Sequence, residues 1–149
     1  MTITESGPGL RIIGYVRSTI MDRKTAPKME HEGGVEARIE ILPEFRPALE
    51  GLSPGREILL FTWFHLSGRE YLRVHPRGDE TRPMRGVFST RSPDRPNPIG
   101  LHRVRIMAMS DDGELTVAPL EALDMTPVVD IKPVIAYSGD NRENSPADG

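Results

Sequence analysis

The chain has 149 residues, 14 prolines, 14 glycines, no cysteine and a formal net charge of −3. That length suits one domain with its own core, and the absence of cysteine excludes disulfides, thiolate nucleophiles and cysteine metal sites. The longest apolar run, residues 58–64, is far too short to span a membrane, and the N-terminus lacks a secretory pattern, so a cytoplasmic protein with no membrane partner is expected.

Residues 1–9 read as a flexible N-terminus, followed by a strand over 10–18 with Ile13 and Gly14 at its middle. An irregular polar segment over 19–34 contains Pro27, Lys28 and Met29. Over 35–42, Val35, Ala37, Ile39 and Ile41 alternate with Glu36, Arg38 and Glu40, the pattern of a half-buried strand. Residues 43–49 predict one or two helical turns closed by Gly51. The most apolar strand, 57–65, is expected to be buried on both faces. Residues 68–85 are rich in arginine and broken by Pro76, Gly78 and Pro83, which predicts a long loop.

Residues 86–100 read G-V-F-S-T-R-S-P-D-R-P-N-P-I-G. The stretch starts like a strand at Val87 and Phe88 and then meets Pro93, Pro96 and Pro98. Proline donates no ladder hydrogen bond, and it drives the residue before it toward extended geometry. A stiff, extended loop carrying Arg91, Arg95, Asn97, Ser89 and Thr90 is expected, and such a loop loses little entropy on binding a ligand.

Beyond it, residues 101–109 alternate again, with His102, Val104, Ile106 and Ala108 opposite Arg103, Arg105 and Met107. Residues 110–113 (S-D-D-G) signal a hairpin turn into a strand over 114–118, and 120–132 form a short apolar return. The tail over 138–149 is expected to be disordered. Five or six short strands with little helix predict an all-β fold, a small single-domain β-barrel over 10–137 with short helical insertions.

Charge is unevenly placed. Between Arg69 and Arg105 stand nine arginines against four acids, a balance of +5, so the remainder carries −8. A basic segment in an acidic protein can guide an anionic partner to one face, although several of these arginines can instead pair with acids elsewhere in the fold. His31, His65, His75 and His102 are scattered, without metal-ligand spacing, and neither a nucleophile elbow nor a phosphate loop occurs, so no metal is expected.

The run over 86–100, with T-P-V-V-D-I-K-P over 126–133 and I-G-Y-V-R-S over 13–18, resembles the TsaA-like (TrmO, formerly VirR/YaeB) family across residues 11–137. The resemblance implies a β-barrel, usually a homodimer. It implies methylation, dependent on S-adenosylmethionine, of N6 in threonylcarbamoyladenosine beside the tRNA anticodon, with tRNA and not DNA as partner. It implies cofactor contacts at Pro27, Lys28 and Met29, at His65 and Leu66, at Arg91 and Leu101, and at Met125, Thr126, Pro127 and Val128. Here Leu66 stands where bacterial members often have glutamine, and Met125 stands in place of a glycine. Arg85, Arg95, Asn97 and Lys132 are the candidate substrate-binding residues. Asp130 is the candidate proton acceptor; alternating with apolar neighbours, it shares a face with Lys132, and an internal ion pair between them is the competing reading. Two other functions stay open: the same fold methylating a small anionic metabolite, and a non-catalytic barrel that binds a nucleotide or RNA loop.

Overall fold

The computed structural model describes residues 7–21 and 35–135. Pro27, Lys28 and Met29, the first six residues and the tail over 138–149 lie outside the described residues.

Among the described residues eight strands form: β1 (Gly14–Arg17), β2 (Ala37–Ile41), β3 (Glu57–Trp63), β4 (Arg73–Val74), β5 (Arg85–Gly86), β6 (Ile99–Met109), β7 (Glu114–Ala118) and β8 (Pro127–Pro133). Six of them close into an antiparallel barrel in the order β1-β2-β7-β6-β3-β8, with β8 returning to β1 so that Gly14 faces Val128. Closure leaves these short strands no open edge. The expected all-β barrel with short helical insertions therefore forms, the insertions being 3₁₀ segments at Pro43–Leu49, Pro76–Gly78 and Val87–Ser89.

Alternation decides which side chains face inward. Ala37, Ile39 and Ile41 are buried while Arg38 and Glu40 are exposed. Together with Val16, Ile58, Leu60, Val104, Ile106, Leu115, Val117 and Val128 they fill the barrel, and Phe45, Leu49 and Leu52 pack against one end. Strand β3 corrects an expectation: Ile58, Leu60 and Thr62 are buried, but Leu59, Phe61 and Trp63 are only partly covered. A barrel wall has one interior, and the apolar outer residues of β3 sit on the exterior.

Strand β6 corrects a second expectation. Its pairing with β7 slips between Ile106 and Ala108. The extra residue there turns Ala108 outward and lets Met109 pack against the core, as a bulge does. The expected long loop over 68–85 is also partly ordered: β4 and β5 pair across it, Arg73 opposite Gly86, with the turn at Pro76–Gly78 between them. Val87 and Phe88 lie in a 3₁₀ turn and not in a strand.

Two interior positions depend on particular residues. At Gly14, strands β1 and β2 lie so close that a Cβ would run into the Glu40 carbonyl oxygen and stand 3.2 Å from the Ile41 Cα. Near the other mouth, His102 Nε2 lies 2.9 Å from Thr62 Oγ1, and the Phe64 ring meets the imidazole edge-on at 5.9 Å between centroids. Burial pushes the His102 pKa from 6.5 down to about 4.

Gly14→Ala is expected to destabilise the barrel by about 1–3 kcal/mol, because both sides of the clash are backbone; a thermal melt shifted down by several degrees is the readout. The His102 effect has a definite sign. The folded pKa lies below the unfolded one, so the unfolded chain binds the extra proton and stability falls as pH drops from 6.5 toward 4. Denaturant titrations should show a loss of about 2 kcal/mol from this group between pH 7 and pH 5. His102→Gln, which can still bond Thr62, should remove that part of the loss, and an unchanged pH dependence would contradict the assignment.

Candidate active site

Opposite the mouth packed by Phe45 and Leu49, two loop walls enclose a cavity of about 290 Å³ lined by residues from both. The first wall is the chain after β3 together with the proline ribbon. Phe64 N–H donates to the Pro98 carbonyl (2.8 Å), Gly68 N–H to Asp94 Oδ1 (2.9 Å) and Arg95 N–H to the Gly68 carbonyl (3.0 Å). Arg69 adds a clamp: its Nε reaches the Pro96 carbonyl (2.9 Å), its Nη2 reaches Asn97 Oδ1 (3.1 Å), and its guanidinium lies 5.1 Å from the centre of the Trp63 ring. These contacts bring Arg91 and Pro93 alongside His65, Leu66 and Ser67 on the cavity wall.

The second wall joins the end of β1 to the approach to β8. Ser18 N–H donates to Asp124 Oδ1 (3.0 Å) and Ser18 Oγ to the Ala122 carbonyl (2.6 Å), while Met125 N–H bonds the Val16 carbonyl (2.7 Å). Thr126 Oγ1 turns back to the Leu123 carbonyl (2.7 Å). Ile20, Glu121, Ala122, Leu123 and Thr126 line this side. Met125 holds a φ of 68°, the left-handed region that glycine adopts most readily, so the side chain standing in place of glycine sits on a backbone shaped for one.

Gly100 explains how the floor is made. A Cβ there would collide with the Phe64 ring and with Thr62 Oγ1. The last residue of the ribbon is therefore small so that Phe64 can lie across the barrel mouth, where it faces the cavity on one side and His102 on the other.

The ribbon itself is not the extended loop expected. Arg95 sits half-buried and its guanidinium gathers three carbonyls: Nη1 donates to Thr90 (3.0 Å) and Ser92 (3.2 Å), Nη2 to Val87 (2.9 Å). The loop is wound round its own arginine, which adds donors to a stretch where three prolines supply no N–H. Arg95 and Asn97 thus serve loop geometry. Arg91, by contrast, is exposed and has no hydrogen-bond or ion-pair partner among the described residues.

His65, Leu66, Arg91 and Thr126 are brought together at the cavity, and Met125 is adjacent in the chain to Thr126. Pro127 and Val128 are buried in the barrel wall at the start of β8. Leu101 lies on the outer face of β6, paired with Phe61, and does not line the cavity. Arg85 is exposed on β5, also away from the lining. Asp130 and Lys132 do share a face, 3.9 Å apart, but it is the exposed outer one. Asp130 borders the groove at the opposite mouth, beside Arg56, so it does not reach the cavity as a proton acceptor. The register of β8 on β3 explains this: Phe61 pairs with Asp130 and Thr62 with Val128, so Val129 is an extra residue, and the bulge turns position 130 outward although Val128 lies inside.

Sequence reading missed Ile20, Phe64, Ser67, Glu121, Ala122 and Leu123. Glu121 carried a signal, a lone acid within P-L-E-A-L; the apolar lining residues carried none that separates them from core. Chemically, the described residues offer the cavity one guanidinium (Arg91), one carboxylate (Glu121), one imidazole (His65) and otherwise apolar or hydroxyl surface.

The chain resembles known proteins throughout this architecture. Residues 15–140 match the family model described as tRNA-methyltransferase O N-terminal domain. A probable S-adenosyl-L-methionine-binding protein of Methanothermobacter thermautotrophicus is 44% identical over 124 residues, which is 83% of this chain and 88% of the relative. An S-adenosyl-L-methionine-binding protein of Archaeoglobus fulgidus is 39% identical over 123 residues, 83% of this chain and 86% of that one. A crystal structure of TrmO superposes with a TM-score of 0.70 at 33% identity, covering 91% of this chain and 61% of the solved chain. A TrmO structure from Pseudomonas aeruginosa gives 0.69 at 31% identity, covering 91% and 59%. This chain thus spans about three-fifths of the solved TrmO chains. Its barrel, its ribbon and the match over residues 15–140 agree: the chain belongs to the tRNA-methyltransferase O N-terminal domain family.

Proposed function

We propose that the protein is an S-adenosylmethionine-dependent methyltransferase that methylates N6 of threonylcarbamoyladenosine beside the tRNA anticodon, working as a homodimer. The observation that carries this reading is the composition of the cavity between the ribbon and the approach to β8. Its lining meets the demands of the cofactor part by part. The methionyl end is a zwitterion, and Arg91 and Glu121 are a cation and an anion on opposite walls. The adenosine end needs an apolar cleft, and Ile20, Phe64, Leu66, Ala122 and Leu123 supply one. The volume falls near the lower limit of roughly 300 Å³ for ligand clefts, which suits a site that opens toward a large second substrate.

When bound, the cofactor supplies a methyl group already activated by its sulfonium. The protein's residues have the remaining tasks of holding both partners in line and keeping water away. Arg91 would hold a carboxylate through a charge-assisted pair, and the ribbon that carries it is fixed by Arg95, so little ordering remains to be done on binding. Phe64 and Leu123 screen the reacting centre. With Glu121 meeting the methionyl ammonium, His65 is the group among the described lining residues that can take the proton from N6. On the acceptor side, Arg85 has no hydrogen-bond or ion-pair partner among the described residues and would meet the anionic substrate. The exposed Leu101, Ile99 and Met107 on the outer face of β6 support pairing with a second copy.

Nucleoside mass spectrometry of tRNA from a deletion strain tests the substrate: loss of methylated threonylcarbamoyladenosine is expected, and an unchanged level would point to the small-metabolite alternative. Arg91→Ala should weaken cofactor binding about 10- to 100-fold by calorimetry without lowering the melting temperature. Asp130→Asn should leave methyl transfer close to wild type. An Arg91→Ala protein that no longer melts cooperatively, or an inactive Asp130→Asn, would redraw the site.

A further inference from the structure

Phe88 is 84% exposed, more than any other large apolar side chain among the described residues. It is also held on well-fixed backbone. Its neighbour Val87 is only 2% exposed and bonds through its N–H to the Leu72 carbonyl (2.9 Å). The Val87 carbonyl accepts from Thr90 N–H (3.0 Å), Thr90 Oγ1 (2.9 Å) and Arg95 Nη2 (2.9 Å), and Ser89 Oγ closes the turn on the Gly86 carbonyl (2.8 Å). An aromatic ring is thus presented to solvent by a turn that five hydrogen bonds fix.

Its surroundings indicate the occupant. Of the nine arginines between 69 and 105, Arg69, Arg73, Arg82, Arg95, Arg103 and Arg105 are engaged by carbonyls, acids or the Trp63 ring. Arg77, Arg85 and Arg91 have no such partner among the described residues. Of those three, Arg91 lines the cavity, and Arg85 stands three residues before Phe88 in the chain, exposed on β5. An exposed ring with a free guanidinium close by in the chain suits single-stranded nucleic acid, a base stacking on the ring and a phosphate meeting the cation.

We propose that Phe88 is a stacking platform for a base next to the methyl acceptor in the RNA loop, with Arg85 bound to the adjoining phosphate. This deepens the proposed function and rests on its RNA substrate. Phe88 acts on RNA recognition and not on the cofactor, since it does not line the cavity.

The test uses the full chain and an anticodon stem-loop RNA with 2-aminopurine beside the acceptor adenosine. Wild type should bind it and quench the fluorescent base. Phe88→Ala should bind about 5- to 100-fold more weakly and lose the quench, Phe88→Trp should keep both, and all three should bind S-adenosylmethionine alike and melt at the same temperature. Equal RNA affinity in Phe88→Ala would overturn the stacking role and leave the methyltransferase reading standing. A wild type that binds the cofactor but not the RNA would overturn the RNA substrate and this role together. A Phe88→Ala protein that changes only from dimer to monomer would assign the ring to a second copy instead.

Discussion

The guanidinium of Arg95 organises the functional end of the barrel. A ribbon with prolines at 93, 96 and 98 keeps its carbonyl oxygens while losing three N–H donors, so ordinary turns satisfy only part of it and no strand pairing completes the rest. Arg95 brings several donors to one point and meets the Val87, Thr90 and Ser92 oxygens together. Hydrogen bonds from a charged donor are worth roughly 1.5–3 kcal/mol each, and here they replace a ladder that proline forbids. Asp94 and Asn97 complete the ribbon by taking the Gly68 N–H and the Arg69 guanidinium. With those groups engaged inward, Arg91 is left exposed at the cavity.

The same end of the molecule is tied to the core through a short chain of contacts. Gly100 has no side chain, so Phe64 can cross the mouth; Thr62 beneath it bonds His102, and His102 stays neutral because it is buried. The ring that lines the cavity is therefore the outermost member of a packed set that begins inside the barrel. This couples the position of a cleft wall to the register of β3 on β6, where Thr62 faces Gly100 and Leu60 faces His102.

Much of this was legible in the residues, and the misses have physical causes. The alternation in β2 and the S-D-D-G turn depend on local chemistry, and both appear as read. The two-sided burial of β3 failed because an apolar run does not distinguish a parallel sheet from a barrel wall whose outside is also apolar. Arg91 and Arg95 occupy equivalent places on either side of a proline, and nothing in their spacing tells which one turns inward; that depends on where the unsatisfied carbonyls lie. Asp130 and Lys132 were rightly placed on one face, yet which face depends on the bulge at Val129, where β8 slips against β3, and nothing in V-V-D-I-K marks that slip.

Charge placement follows the same logic of commitment. The chain is acidic in total, so a basic count over residues 69–105 says little about what a partner would meet. Arg103 and Arg105 are both held by Glu57, and Arg82 by Asp79, which removes them from the reckoning. What remains is sparse and local: Arg91 in the cavity, Arg85 at the strand edge and Arg77 in the 68–85 hairpin. A few unpaired guanidiniums on fixed backbone give a directed field over a short distance, whereas a broadly basic surface would attract any polyanion. The proposed RNA substrate would be discriminated by the first arrangement, because discrimination comes from placed contacts and not from total charge.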